Sequence, residues 1–344
     1  PTDEQRLEET HASVHDHYDS RITGGIIMDP STGAIVALAA LPTFDPNTFN
    51  TVSDTGIFTN PLVESVFEFG SIMKPLTMAA GIDSGAVGEH TTYYDAGFIT
   101  RDEAKIYNYD LRGRGRVEMQ EVLSQSLNTG AAFVAEKMGF DVFGRYMLNL
   151  GFGEETGIDL PGEVPGIVSG LKSGSALDLA SASFGQGVAV TPIAMTRALA
   201  ALANGGTIVT PHVADTIRFP TGITHRAWQE DERRVFQKEH AETVTRMLIK
   251  VVDEALWEGK IKMERYSIAA KTGTAQIAKP VGGYYDDRYL HSFFGYFPAH
   301  EPRFLIFLFT VEPEGVSYAS ETLARPFHEL TQFLISYYDI PPDR

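Results

Sequence analysis

Strand-forming runs lie at the two ends of this chain and helical patterns fill the span between them, which leaves few ways to build a single hydrophobic core. Near the start, Gly24-Gly-Ile-Ile-Met28 and Ala34-Ile-Val-Ala-Leu-Ala39 bracket the turn-forming cluster Asp29-Pro-Ser-Thr-Gly33, the pattern of a β-hairpin. Near the end come three more strand-like runs, Tyr266–Gln276, Ser292–Phe297 and Arg303–Val311. Residues 71–205 are mostly helical in pattern, punctuated by Gly151-Phe-Gly153 and Gly185-Gln-Gly187. In Ala241–Trp257, apolar Val244, Met247, Leu248, Val251, Val252 and Leu256 recur with the spacing of an amphipathic helix. A polar helix is expected around Gln5–His17 and a closing helix over Ala324–Tyr338. If the terminal strands share one sheet, the fold is α+β: a central antiparallel β-sheet flanked by N- and C-terminal helices. A mostly α-helical subdomain, residues 71–205, is then inserted into it. Residues 1–20 form a lead-in segment and residues 21–344 the domain proper.

Composition removes several functions. With 28 Lys+Arg against 45 Asp+Glu the net charge is −17, the wrong sign for a phosphate-binding surface, so no nucleic-acid partner is expected. The chain has no cysteine, which removes disulfides, thiol nucleophiles and cysteine-ligated zinc. Apolar runs such as Phe304–Val311 are far short of the ~20 residues that span a bilayer. The first residue is Pro1 and no signal peptide is visible, so an N-terminal anchor outside this chain stays open.

Three short elements carry chemistry. In Gly70-Ser-Ile-Met-Lys-Pro-Leu-Thr-Met-Ala-Ala-Gly-Ile82, Pro75 places a helix start close to Ser71, because proline is tolerated only near a helix N-terminus. The residues after it are apolar on nearly every face, the pattern of a helix buried all round. Lys74 is the one charge there and sits on the face of Ser71. Burial lowers a lysine pKa, and a neutral amine beside a hydroxyl can take its proton. A second Ser-x-x-Lys, Ser169-Gly-Leu-Lys172, lies among glycines with no apolar helix after it and reads as loop. In Ser124-Gln-Ser-Leu-Asn-Thr-Gly-Ala131 one helical stretch stops and another starts. Asn128 is there either an N-cap or, with Ser126, a residue facing a cleft from a helix–helix corner. In Ala269-Ala-Lys-Thr-Gly-Thr-Ala-Gln276, on a strand, Thr272 and Thr274 share one side and Lys271 points to the other. Gly273 has no side chain and would let a ligand approach the backbone.

Other features have plainer readings. His11, His15, Asp16, His17 and Asp19 lack a placed set of three ligands and read as a solvated helix face, so no metal site is expected. Asp110–Arg116 reads as a solvated basic loop, and Gly282–Tyr289 as either a cleft lip or a packed loop.

The order Ser-x-x-Lys, Ser-x-Asn, Lys-Thr-Gly, with 55 residues from Ser71 to Ser126 and 145 from Ser126 to Lys271, is far more specific than any one element. Together the elements resemble the transpeptidase domain of a class B penicillin-binding protein. The resemblance runs from about Gly24 to the C-terminal helix. It includes Met28-Asp-Pro-Ser-Thr-Gly-Ala34, Pro42-Thr-Phe-Asp-Pro46, Thr156-Gly-Ile-Asp-Leu-Pro-Gly-Glu163, Phe184-Gly-Gln-Gly187 with Thr191-Pro192, and Ala203-Asn-Gly-Gly206. Phe69 stands where the family usually has proline, and Ile72-Met73 replace a more common threonine-containing pair. The resemblance implies the penicillin-binding/β-lactamase-like fold and acyl transfer on peptidoglycan stem peptides ending in D-Ala-D-Ala, without a cofactor. By the same token Ser71 is the nucleophile, Lys74 its base, and the backbone N–H groups of Ser71 and Thr274 hold the oxyanion. Ser126, between Lys74 and Lys271, would relay a proton to the leaving D-Ala. Asn128 would orient substrate amides and the Lys74 side chain, and Thr272 and Thr274 would bind the terminal carboxylate beside Lys271. Lys271, at the cleft's edge, is expected to stay hydrated and charged. Further expectations are an amine acceptor from a neighbouring stem peptide, acylation by β-lactams, a site outside the cytoplasm, an N-terminal membrane helix, and a membrane glycosyltransferase partner of the full-length protein. Ser-Leu-Asn leans towards a septal role. The rivals are a D,D-carboxypeptidase or β-lactamase of the same fold, and a non-catalytic β-lactam sensor or scaffold. The Glu-x-x-Leu-Asn deacylating segment of class A β-lactamases is absent.

Overall fold

Thr2 starts the first helix, α1 (Asp3–His17), as a capping box: its hydroxyl accepts from the Gln5 N–H and the Gln5 side chain accepts from its own. The structure, a computed structural model, describes residues 1–229, 231 and 233–344. The expected hairpin follows as β1 (Ile22–Met28) and β2 (Ile35–Leu41). After the short α2 (Pro61–Glu64), a 3-10 turn over Gly70–Met73 runs straight into α3 (Lys74–Asp83). Four short strands come next, β3 (Thr92–Asp95), β4 (Phe98–Arg101), β5 (Ala104–Tyr107) and β6 (Gly115–Glu118). Helices α4 (Met119–Ser124), α5 (Asn128–Met138), α6 (Phe140–Asn149), α7 (Ala176–Ala182) and α8 (Pro192–Ala203) complete the insertion. The chain continues through a ribbon, β7 (Thr216–Arg218) and β8 (Thr224–Arg226), and α9 (Lys238–Lys250). It ends with β9 (Ala269–Ala278), β10 (Tyr284–Phe297), β11 (Phe304–Val311) and α10 (Ala319–Tyr337).

Among the described residues the main sheet has five antiparallel strands in the order β2-β1-β11-β10-β9. Strands from both ends of the chain therefore share one sheet, and β9 lies at its edge. The register assigns the faces. Gly25, Leu308, Phe293 and Thr272 form one cross-strand row. Phe293 stacks on Phe327 of α10 at 4.5 Å, an aromatic pair worth about 1 kcal/mol beyond its burial. A Cβ on Gly25 would meet His11 of α1. So α1 and α10 cover one face. On the opposite face Tyr296 bonds to Thr245 of α9 and Ser292 reaches the carbonyl of Phe69.

Three expectations change. Residues 92–118 are strands rather than helix: β-branched and aromatic side chains (Thr92, Tyr93, Tyr94, Ile99, Thr100, Ile106, Tyr107) fit half-buried ribbons better. The helix expected to reach Trp257 stops at Lys250. A π turn over Val251–Ala255 and left-handed Trp257 and Glu258 (φ 48° and 58°) follow it. His11 is not on a solvated face; it is 2% exposed, with its ring packed over β1. Among the described residues no group of three or more histidines and carboxylates is placed to hold a metal.

Candidate active site

Pro75 is the second residue of α3, where its missing N–H would have had no intrahelical acceptor. α3 is buried along nearly its whole length, and Lys74, its first residue, is 1% exposed. Ser71 lies in the 3-10 turn just before it. Lys74 Nζ is 2.9 Å from Ser71 Oγ, 2.6 Å from the carbonyl oxygen of Ser126 and 3.0 Å from Ser126 Oγ. From the far side Lys271 Nζ donates to Ser126 Oγ at 3.1 Å and to the carbonyl of Thr272 at 3.0 Å. One hydroxyl is thus held between two buried amines. Burial and the nearby Lys271 charge push the Lys74 amine far below the ordinary lysine range. Burial pulls Lys271 down to about 8.

These protonation states fit the distances. A neutral Lys74 has two N–H bonds and one lone pair. With those N–H bonds on the Ser126 carbonyl and hydroxyl oxygens, a neutral Lys74 would keep its lone pair for the Ser71 proton. Ser126 Oγ has two lone pairs, both taken by amine donors, so its own hydrogen is free to point into the cleft. Ser126 is at φ 55°, a left-handed conformation costly for serine and typical of strain held at a functional site. Tertiary contacts, not local preference, place it there.

Gly273 differs from its expected role. A Cβ there would come within 2.4 Å of the Phe69 carbonyl oxygen and 2.4 Å of Ser292 Oγ. The missing side chain therefore admits the turn that carries Ser71, not a ligand. Gly70, at φ 64°, is pressed against the same strand: its Cβ would sit 2.8 Å from the Thr274 carbonyl oxygen. Thr274 Oγ1 accepts from the Ala319 N–H at the start of α10, at 3.1 Å. Lys271 is 3% exposed, in the buried wall of the cleft and not hydrated at its edge. The alternation put it on the correct face, but its stem reaches inward to Ser126. Asn128 is the first residue of α5, one place past the cap position held by Leu127. Its side-chain Nδ2 donates to the Tyr107 carbonyl oxygen at 2.9 Å, not to Lys74. Ser169–Lys172 forms an isolated 3-10 turn away from this cluster.

These groups open into a cleft of about 840 Å³ lined by Ser71, Ser126, Asn128, Lys271, Thr272 and Thr274. Its rim holds residues the sequence did not flag, Tyr107, Tyr109, Trp257 and Tyr318. Tyr109 and Tyr318 meet edge to face at 5.9 Å, joining the insertion to α10. The only hint in the sequence was aromatic residues in turn-rich segments. The basic loop at 110–116 is solvated at Leu111–Gly113 and Arg116, while Arg114 is held in place, paired with Asp110 at 2.7 Å and donating to Gln125 at 2.8 Å. From Tyr284 onward Gly282–Tyr289 is strand rather than loop, and Tyr289 lines the cleft. The strand is β10, and the Tyr284 hydroxyl donates to Glu68 at 2.9 Å. Among the described residues the cleft lining contains no carboxylate and no histidine.

Fold and site together define a serine-centred domain of the penicillin-binding type, an antiparallel sheet with a helical insertion and a serine–lysine pair where they meet. Comparison with known proteins gives the family. The penicillin binding protein transpeptidase domain profile matches residues 23–332, and the chain belongs to that family. It is 31% identical over 328 residues to Stage V sporulation protein D of Bacillus subtilis, covering 94% of this chain and 50% of that protein. It is 29% identical to penicillin-binding protein PbpB of Mycolicibacterium smegmatis, covering 92% of this chain and 50% of that protein. The chain thus spans about half the length of these curated relatives. Among solved structures, Penicillin binding protein 3 from Mycobacterium tuberculosis in complex with aztreonam superposes with a TM-score of 0.89. Its sequence identity is 26%, over 99% of this chain and 78% of that one. No helix among the described residues is long and apolar enough to cross a membrane.

Proposed function

We propose that this domain is a peptidoglycan D,D-transpeptidase, carrying stem peptides through an acyl-enzyme on Ser71. The observation that carries the reading is Ser126 Oγ held at 3.0 and 3.1 Å between two buried amines, one of them 2.9 Å from Ser71 Oγ. Ser71 gives its proton to neutral Lys74 and attacks the carbonyl of the penultimate D-Ala. The backbone N–H groups of Ser71 and Thr274 hold the oxyanion, each worth about 10²–10³ in rate. Ser126 passes its proton to the departing D-Ala nitrogen as the C–N bond breaks, and is reprotonated from the lysine pair. The terminal carboxylate lies against Thr272 and Thr274 with the charge of Lys271 behind them, and Asn128 engages the substrate amide. An amine of a second stem peptide then attacks the ester carbonyl, giving a proton to neutral Lys74; the ester C–O bond breaks and Lys74 returns a proton to Ser71 Oγ, forming the cross-link and freeing Ser71. β-Lactams acylate the same oxygen by opening their ring.

Transfer to an amine rather than to water is supported by the names of relatives and is decided by the acceptor experiment below. Names of relatives support the substrate class: a peptidoglycan D,D-transpeptidase FtsI homolog of Mesostigma viride and MrdA of Acinetobacter baumannii are 27% and 30% identical to this chain. Action outside the cytoplasm, a membrane anchor and a membrane glycosyltransferase partner belong to the same proposal for the whole protein. The test is incubation with a D-Ala-D-Ala donor peptide and an amine acceptor. Cross-linked product with release of one D-Ala supports it; free tetrapeptide alone, unchanged by added acceptor, refutes transfer.

A further inference from the structure

Behind the cleft, in the insertion, lies a carboxylate with no assigned role. Asp95, at the end of β3, is 1% exposed, as is Asn108, and Thr129 is 2% exposed. Asp95 accepts four neutral donors: Thr129 Oγ1 at 2.8 Å, the Gly97 N–H at 2.9 Å, Asn108 Nδ2 at 3.0 Å and the Arg114 N–H at 3.0 Å. The Arg114 guanidinium turns instead to Asp110 and Gln125. A buried carboxylate satisfied by four neutral groups is costly to build, and such networks specify geometry when every member is paired.

What it joins is informative. Asn128 is held by the Tyr107 carbonyl at 2.9 Å. Asn108 follows Tyr107 and Thr129 follows Asn128, and both side chains end on Asp95. The Thr129 N–H also donates to Asn108 Oδ1 at 3.3 Å, and Tyr93 OH lies 3.2 Å from Thr129 Oγ1. We infer that Asp95 is a positioning residue for Asn128: it clamps the residue next to each end of the Asn128–Tyr107 hydrogen bond and so fixes where the carboxamide meets the substrate amide. This rests on the role of Asn128 given above.

Asp95→Asn would set an NH₂ against buried donors and endangers folding. Thr129→Val is the better probe, since it removes one of the four donors and keeps the shape. The measurement is the second-order acylation rate with a fluorescent penicillin for wild type, Asn128→Ala, Thr129→Val, the double variant and Thr129→Ser. We expect Thr129→Val to slow acylation about tenfold with Asn128 present and less than about twofold with Asn128→Ala, a coupling that a merely structural role does not produce. Thr129→Ser, which keeps the hydroxyl, should restore the rate to within about twofold of wild type. If Asn128→Ala slows acylation but Thr129→Val has the same effect in both backgrounds, or none in the first, the inference is wrong. If Asn128→Ala leaves acylation unchanged, the role given to Asn128 falls and the inference with it.

Discussion

Removing the charge of Lys271 should move the pH dependence of Ser71 acylation in a calculable way. Both amines donate to one oxygen, at 3.0 and 3.1 Å, so the nitrogens are about 5–6 Å apart. At an effective dielectric near 20, two unit charges at that distance repel by about 3 kcal/mol, or roughly two pKa units. Acylation needs Lys74 neutral, so the rate rises as pH passes its depressed pKa. It also needs Lys271 charged, to hold Lys74 down and to attract the substrate carboxylate, so the rate falls again as pH passes about 8. In Lys271→Ala the falling limb disappears and the rising limb moves up by about one to two units, because burial still depresses Lys74 but repulsion no longer does. The assay is the second-order rate constant for a fluorescent β-lactam between about pH 5 and 10, over the range where wild type and variant keep their circular dichroism. A rising limb that stays in place in Lys271→Ala would mean that the two amines do not interact. A single wild-type limb near pH 10 would mean that Lys74 is an ordinary charged lysine and that another group activates Ser71.

The same burial has a cost in stability. Lys74 is protonated in the unfolded chain and neutral when folded, so folding releases a proton. Stability therefore rises with pH from its folded pKa up to the ordinary lysine value, by up to about 1.4 kcal/mol per unit. Denaturant melts between pH 7 and 9 should show wild type gaining on Lys74→Met by about that slope, and parallel curves would show that Lys74 keeps its proton on folding. Gly273→Ala should cost about 1–3 kcal/mol, because its Cβ falls 2.4 Å from both Phe69 O and Ser292 Oγ. It should also slow acylation by more than any unfolded fraction explains, since the displaced turn carries Ser71. A variant with wild-type melting and acylation would remove the packing argument.

The parts of the site legible in the sequence were those set by local rules. Pro75 located the start of a helix, the apolar residues after it marked that helix as buried, and Lys74 stood out as the one charge between Gly70 and Ile82. Strand alternation placed Thr272 and Thr274 on one face of β9 and Lys271 on the other. What failed depended on distant neighbours. Alternation gives the direction of Lys271 but not the reach of its stem, and its hydration was misjudged because Ser126 comes from another part of the chain. Gly273 looked like an opening for ligand because nothing local reveals the Phe69 carbonyl against it. Asn128 stayed open between a cap and a cleft-facing residue because the cap preference does not resolve a one-residue shift. Strands at 92–118 were hidden by their shortness, and Asp95 by its separation of 34 positions from Thr129.

The central claim is that Ser71, activated by a neutral Lys74, forms an acyl-enzyme that water does not readily break. Intact-protein mass spectrometry after mixing with a penicillin, followed over hours and combined with peptide mapping, tests it most directly. The account predicts one added penicillin mass on the peptide containing Ser71, persisting for hours, and absent in Ser71→Ala. Label on Ser169, no label, or an adduct lost within seconds would contradict it.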